Sequence, residues 1–154
     1  ENIERTQTLN IRAYRKDATI LDKESIEKAD IVLADVPCSG LGVIGKKTDI
    51  KYRTDEDKIQ ELSVLQKRIL HNAASYVKPG GVLIYSTCTI TREENQDNVA
   101  WFTENYPFVL ESLDPYLCEE LHSETTAQGY LQLLPGVHKT DGFFLARLRK
   151  KEEK

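Results

Sequence analysis

The stretch Ile31-Val32-Leu33-Ala34-Asp35-Val36-Pro37-Cys38-Ser39-Gly40-Leu41-Gly42 decides the fold. Four apolar residues run straight into an acid, a proline, a thiol and two glycines, the pattern of a buried strand that ends in a loop. In open α/β sheets ligands bind beyond the carboxyl ends of the strands, so this reading sets Asp35 and Cys38 at a substrate-accessible rim. Further along, Val82-Leu83-Ile84-Tyr85-Ser86 opens into Thr87-Cys88-Thr89 in the same way. Two strand ends each present a cysteine.

Outward from these ends, strand and helix alternate. Ile59, Leu62, Leu65, Ile69, Ala73 and Val77 recur at three and four residues, which predicts a helix capped by Thr54 and stopped by Lys78-Pro79-Gly80-Gly81. Thr91 followed by Glu94 reads as a capping box opening a second helix that runs to Asn105, with Val99 and Phe102 turned inward. Residues 108–110, 130–134 and 143–148 read as strands, and 114–129 as irregular. At the start, residues 1–9 read as the tail of a helix, 10–15 as a short strand and 21–30 as a short surface helix. The alternation predicts an α/β fold with a mostly parallel sheet and helical crossovers.

A chain of 154 residues fits one domain with a real core. No apolar run is long enough to span a bilayer and no secretory signal is evident, so the expectation is a cytoplasmic protein without a membrane partner. Cys38, Cys88 and Cys118 are odd in number and widely spaced, which argues against a disulfide framework or a zinc site. The expectation is no metal. A net charge of −4 argues against nonspecific coating of nucleic acid, which rests on neutralising many phosphates. A local basic path remains: Lys46, Lys47, Lys51 and Arg53, interleaved with Tyr52, suit single-stranded RNA, whose phosphates want charge and whose bases want a stacking face. The other reading of that loop is a solvated turn.

The motifs Asp35-Val36-Pro37-Cys38-Ser39-Gly40 and Ser86-Thr87-Cys88-Thr89, followed by Lys139-Thr140-Asp141-Gly142-Phe143-Phe144, resemble the RNA (cytosine-5) methyltransferase family in register. The loop through Gly42-Val43-Ile44 and Asp49-Ile50-Lys51-Tyr52 looks most like the bacterial branch that methylates small-subunit ribosomal RNA. This resemblance implies a Rossmann-like S-adenosylmethionine-dependent methyltransferase fold whose last strand inserts antiparallel between its neighbours. It implies ribosomal RNA as partner and S-adenosylmethionine as cofactor, with Asp17 contacting the adenine and Asp35 also near the cofactor. Asp17 read by itself is a turn or capping residue. Pro37 joins the four basic residues as an RNA-contacting candidate. Where the family often carries His-Pro, this chain has Lys47-Thr48.

Carbon 5 of cytosine is a poor nucleophile. Addition of a thiolate to carbon 6 turns the ring into an enamine-like species whose carbon 5 can attack a methyl group, which is covalent catalysis. Asp35, three residues from Cys38, can bind the exocyclic amine or, when protonated, donate to the ring nitrogen. The proton on carbon 5 must then leave before sulfur is expelled, and a second cysteine can serve as base. Chemistry alone does not rank the two thiols, since DNA cytosine methyltransferases use the cysteine after proline. The resemblance assigns Cys88 as nucleophile and Cys38 to adduct breakdown.

Such folds need a Gly-rich turn after the first strand and an acid after the second, and neither precedes Asp17. The chain is therefore expected to be part of a catalytic domain whose N-terminal strands lie in an upstream part of the same polypeptide. As supplied it is expected to be inactive, with residues before Ala18 frayed, re-paired elsewhere or completed by another chain, and Asp17 in no fixed relation to Asp35. The competing expectation is a noncatalytic RNA-binding or ribosome-assembly module.

Overall fold

A computed structural model describes residues 2–46 and 55–152. The elements, in chain order, are the single helical turn α1 (Asn2–Arg5), β1 (Ala29–Asp35), α2 (Glu56–Tyr76), β2 (Val77–Thr87), α3 (Gln96–Asn105), β3 (Phe108–Leu110), α4 (Glu124–Gln128), β4 (Tyr130–Leu133) and β5 (Phe143–Lys150). β1 pairs with β2 in parallel, Ile31 to Val82 through Asp35 to Ser86. β5 then runs antiparallel to β2 on one side, and to β3 and β4, end to end, on the other. Among the described strands, β5 alone points back against the rest, which is the inserted last strand expected.

Side chains alternate across the pleat, so Val32 and Ala34 share a face with Leu83, Tyr85, Phe144, Ala146 and Leu148. On this face lies the core, closed by Leu70, Ala73 and Ala74 of α2 and by Val99 and Phe102 of α3. Phe102 and Phe144 are fully buried, each contributing about 1.5–3 kcal/mol relative to an exposed side chain. Ile31 and Leu33 face the other way and remain 62% and 66% exposed.

Several boundaries differ from the sequence expectations. Residues 10–15 form no strand: no described strand pairs with the outer edge of β1, so the alternation there has no ladder to join. In place of a surface helix, residues 21–28 hold a 3₁₀ turn, Lys23–Ser25, set by Asp22, whose side chain accepts from the Glu24 N–H, and β1 already begins at Ala29. The cap of α2 is Asp55, whose carboxylate takes the Lys58 N–H at 2.8 Å, and Thr54 lies outside the described residues. Lys78–Gly81 do not separate helix from strand but bulge within β2, shifting its register between Ala29 and Ile31 of β1. Thr91 and Glu94 form no capping box, and α3 starts only at Gln96. The irregular stretch holds the short α4, which carries a true capping box between Ser123 and Thr126.

Candidate active site

Parallel pairing of β1 and β2 brings their carboxyl ends side by side, and the loops beyond them carry the two thiols. Cys38 Sγ lies 3.2 Å from Cys88 Sγ, and the Cys88 N–H donates to Cys38 Sγ at 3.3 Å. Both side chains are half-buried, whereas Cys118 is exposed and far along the chain in an unrelated turn. Burial, the hydrogen bond with Cys88 and repulsion from it together push the Cys38 thiol up to about 12, so it holds its proton at neutral pH.

The three motifs meet at one point. Gly42 donates its N–H to the Cys88 carbonyl at 3.0 Å, and its own carbonyl accepts from the Gly142 N–H at 2.8 Å. A Cβ on Gly42 would lie 2.3 Å from the Gly142 oxygen and 2.8 Å from that of Cys88, so only glycine permits this approach. Gly40, at φ +73°, turns the chain from Cys38 into that contact.

Asp35 ends β1, exposed, with one oxygen accepting from Ser86 Oγ at 2.9 Å. It borders a cleft of about 270 Å³ walled by Val32, Leu33, Ile69 and Tyr76. Asp17 borders an adjoining cleft of about 500 Å³ that shares Ala18, Val32 and Tyr76 with the first. The residues that follow Asp17 are held to α2: Asn72 donates to the Ala18 carbonyl at 2.9 Å, and Tyr76 Oη accepts from the Asp22 N–H at 2.9 Å. Asp17 itself bonds within its own turn. Its carboxylate accepts from the Thr19 hydroxyl and N–H, which hold it below the usual carboxylate range.

Pro37 is exposed and its carbonyl accepts from Gln66 Nε2 at 2.9 Å. Lys46 is exposed but ion-paired at 2.6 Å with Asp141, in the loop before β5. Lys47, Lys51 and Arg53 lie outside the described residues.

Sequence reasoning missed a polar layer buried beneath the thiols. Gln66, Glu94, Asn95, Asn98, Thr87 and Thr89 are each 0% exposed. Asn98 donates to Gln66 Oε1 at 2.8 Å, Thr87 donates to Asn95 Oδ1 at 2.6 Å, and Asn95 Nδ2 reaches the Thr89 carbonyl at 3.1 Å. The signal that could have found it was Glu94-Asn95 followed three residues on by Asn98, polar groups on what should have been an apolar helix face.

A mostly parallel sheet with an inserted antiparallel last strand and a groove beyond its carboxyl ends is the Rossmann-like, S-adenosylmethionine-dependent methyltransferase class. Comparison narrows this. The family model described as 16S rRNA methyltransferase RsmB/F matches residues 1–149, and the chain belongs to that family. It is 36% identical over 150 residues to ribosomal RNA small subunit methyltransferase F of Cronobacter sakazakii, covering 97% of this chain. The same alignment spans only 31% of that relative's length. Among solved structures, PH0851 matches with TM-score 0.85 and 39% identity over 96% of this chain and 33% of its own. NSun6 from Pyrococcus horikoshii with SFG matches with TM-score 0.77 and 28% identity, over 99% of this chain and 38% of its own.

Proposed function

We propose that the protein containing this chain methylates carbon 5 of a cytosine in small-subunit ribosomal RNA in the cytoplasm, through a covalent adduct between Cys88 and carbon 6. The observation that carries this reading is the pair of thiols, 3.2 Å apart at adjacent strand ends. A single buried thiol is ordinary. Two converging at the ligand-binding rim of this fold form a nucleophile and a proton acceptor for one ring.

S-adenosylmethionine is the methyl donor in this reading, supported by family membership and by a structural relative crystallised with an analogue of it. The residues present fit that cofactor in part. The apolar wall of Val32, Leu33 and Ile69 suits an adenine face, the free oxygen of Asp17 suits its amine, and Asp35 stands at the far end of the groove.

The chain's own residues then act in sequence. Cys88, its proton released to water, adds as a thiolate to carbon 6 while the carbon 5–carbon 6 π electrons move onto carbon 5, and Asp35 orients the ring through its exocyclic amine or ring nitrogen. Before this step repulsion from Cys88 helps keep Cys38 protonated. Once Cys88 is bonded to carbon, its charge is gone, and Cys38 more readily releases its proton to water. The Cys38 thiolate then takes the proton from carbon 5, and the electron pair expels Cys88. Lys46, Lys47, Lys51, Arg53 and Pro37 are the residues assigned to RNA contact in this reading.

The test is incubation of the full-length protein with methyl-labelled S-adenosylmethionine and small-subunit RNA, followed by nucleoside analysis. Label is expected in 5-methylcytosine. Label in any other nucleoside, or none, overturns the reading, and RNA binding without label favours the assembly-module alternative.

A further inference from the structure

Resting on the reading that both thiols serve one cytosine, we propose that Glu94 is a positioning residue that sets the separation of Cys38 and Cys88. Glu94 is wholly buried, and among the described residues no cation pairs with it. Such a carboxylate persists in a core only when hydrogen bonds replace its hydration. Four donors do so. Oε1 accepts from the Ser39 N–H at 2.9 Å and from Gln66 Nε2 at 2.8 Å. Oε2 accepts from Ser39 Oγ at 2.5 Å and from Thr91 Oγ1 at 2.8 Å.

The donors come from three different elements. Ser39 adjoins Cys38, Thr91 lies in the loop after Cys88, and Gln66 stands on α2, where it also holds the Pro37 carbonyl. Ser39 has one hydroxyl proton, committed to Glu94, so at the 2.7 Å contact between Ser39 Oγ and Thr89 Oγ1 the threonine donates. Thr89 adjoins Cys88. Each thiol is thus one residue away from the same clamp. The backbone carbonyl of Glu94 is itself held by Tyr85 Oη at 2.6 Å and Asn98 Nδ2 at 3.3 Å, so the clamp is anchored to the sheet and to α3. An apolar side chain of similar volume would fill the space but leave Ser39, Gln66 and Thr91 without their shared acceptor.

The role is geometric, which separates it from proton transfer. In Glu94→Gln the amide oxygen takes the place of Oε1, and the amide nitrogen donates to Ser39 and Thr91 hydroxyls, which can turn and accept. Glu94→Asp is too short to reach both loops. Ser39→Ala removes only the hydroxyl link and spares the anchored carboxylate.

The experiment uses the full-length protein and two readouts. The first is the rate at which diamide couples Cys38 to Cys88: two thiols lose two protons and two electrons to the azo bond, which becomes a hydrazine. The second is adduct formation with RNA carrying 5-fluorocytosine, measured beside RNA affinity. Glu94→Asp is expected to slow both rates about a hundredfold and Ser39→Ala about tenfold, with RNA affinity unchanged and Glu94→Gln retaining near wild-type rates. Unaltered coupling in folded Ser39→Ala overturns the proposal. So does Glu94→Gln failing as badly as Glu94→Asp, which would make Glu94 a proton carrier. If wild-type protein couples its thiols in a Glu94-dependent way yet forms no adduct, the positioning stands and the methylation reading fails.

Discussion

At Cys38, burial and the neighbouring thiol act in the same direction, and the consequence is measurable. A Cys in an unfolded chain titrates at about 8.5, whereas the folded thiol keeps its proton toward about 12. Its contribution to stability is therefore complete below the unfolded value and disappears as pH rises from there toward 12. Between about pH 8.5 and 10 the denaturation midpoint of wild type should fall more steeply than that of Cys38→Ala; parallel slopes would contradict the burial argument. Iodoacetamide at about pH 8.5 should label exposed Cys118 well before Cys38, as mapped by peptide mass. Gly42→Ala drives a Cβ into two carbonyl oxygens and is expected to cost about 1–3 kcal/mol in denaturant titrations, while Gly45→Ala, which meets nothing, should cost little. The thiols and Asp35 were legible because a strand running into Pro, Gly and Cys is a local signal. Glu94 was misread because Thr91-x-x-Glu94 is also a local signal, and a hydrogen bond with Ser39, 55 residues away, leaves no trace in spacing.

Among the elements, α2 shows why periodicity finds a helix but not its role. Ile59, Leu62, Leu65 and Ile69 are not fully buried, while Ser63, Gln66, Leu70 and Ala73 form the covered face, its upper half given to the polar layer. The strand expected at residues 10–15 failed for a different reason, because a strand needs a neighbour and local alternation does not supply one. The basic loop carries a prediction of its own. Replacing Lys46, Lys47, Lys51 and Arg53 with alanine should weaken RNA binding and reduce the salt slope by about 0.7 for each single-strand phosphate no longer neutralised. Lys46→Ala alone should change it little, since that ammonium is already engaged by Asp141. Filter binding between low and moderate salt measures both, and an unchanged slope in the fourfold variant would return the loop to a solvated turn.

For the whole molecule, the sheet has one face covered by α2 and α3 and another on which Ile31 and Leu33 stand open. Its outer edge at β1 pairs with no described strand, and the chain spans 31% of a relative to which almost all of it aligns. We therefore expect calorimetry of the 154-residue chain to show S-adenosylmethionine bound far more weakly than by the full-length protein, since one apolar wall and two carboxylates provide only part of a cofactor shell. A low-micromolar dissociation constant for the chain alone would contradict this. That the paired thiols divide one reaction between them is tested most directly by trapping. Full-length Cys88→Ala and Cys38→Ala are each mixed with the target RNA, and protein–RNA adducts are resolved on denaturing gels over time. No adduct from Cys88→Ala and a persistent, slowly released adduct from Cys38→Ala are predicted; absence of the adduct in Cys38→Ala with its retention in Cys88→Ala would contradict this division of labour.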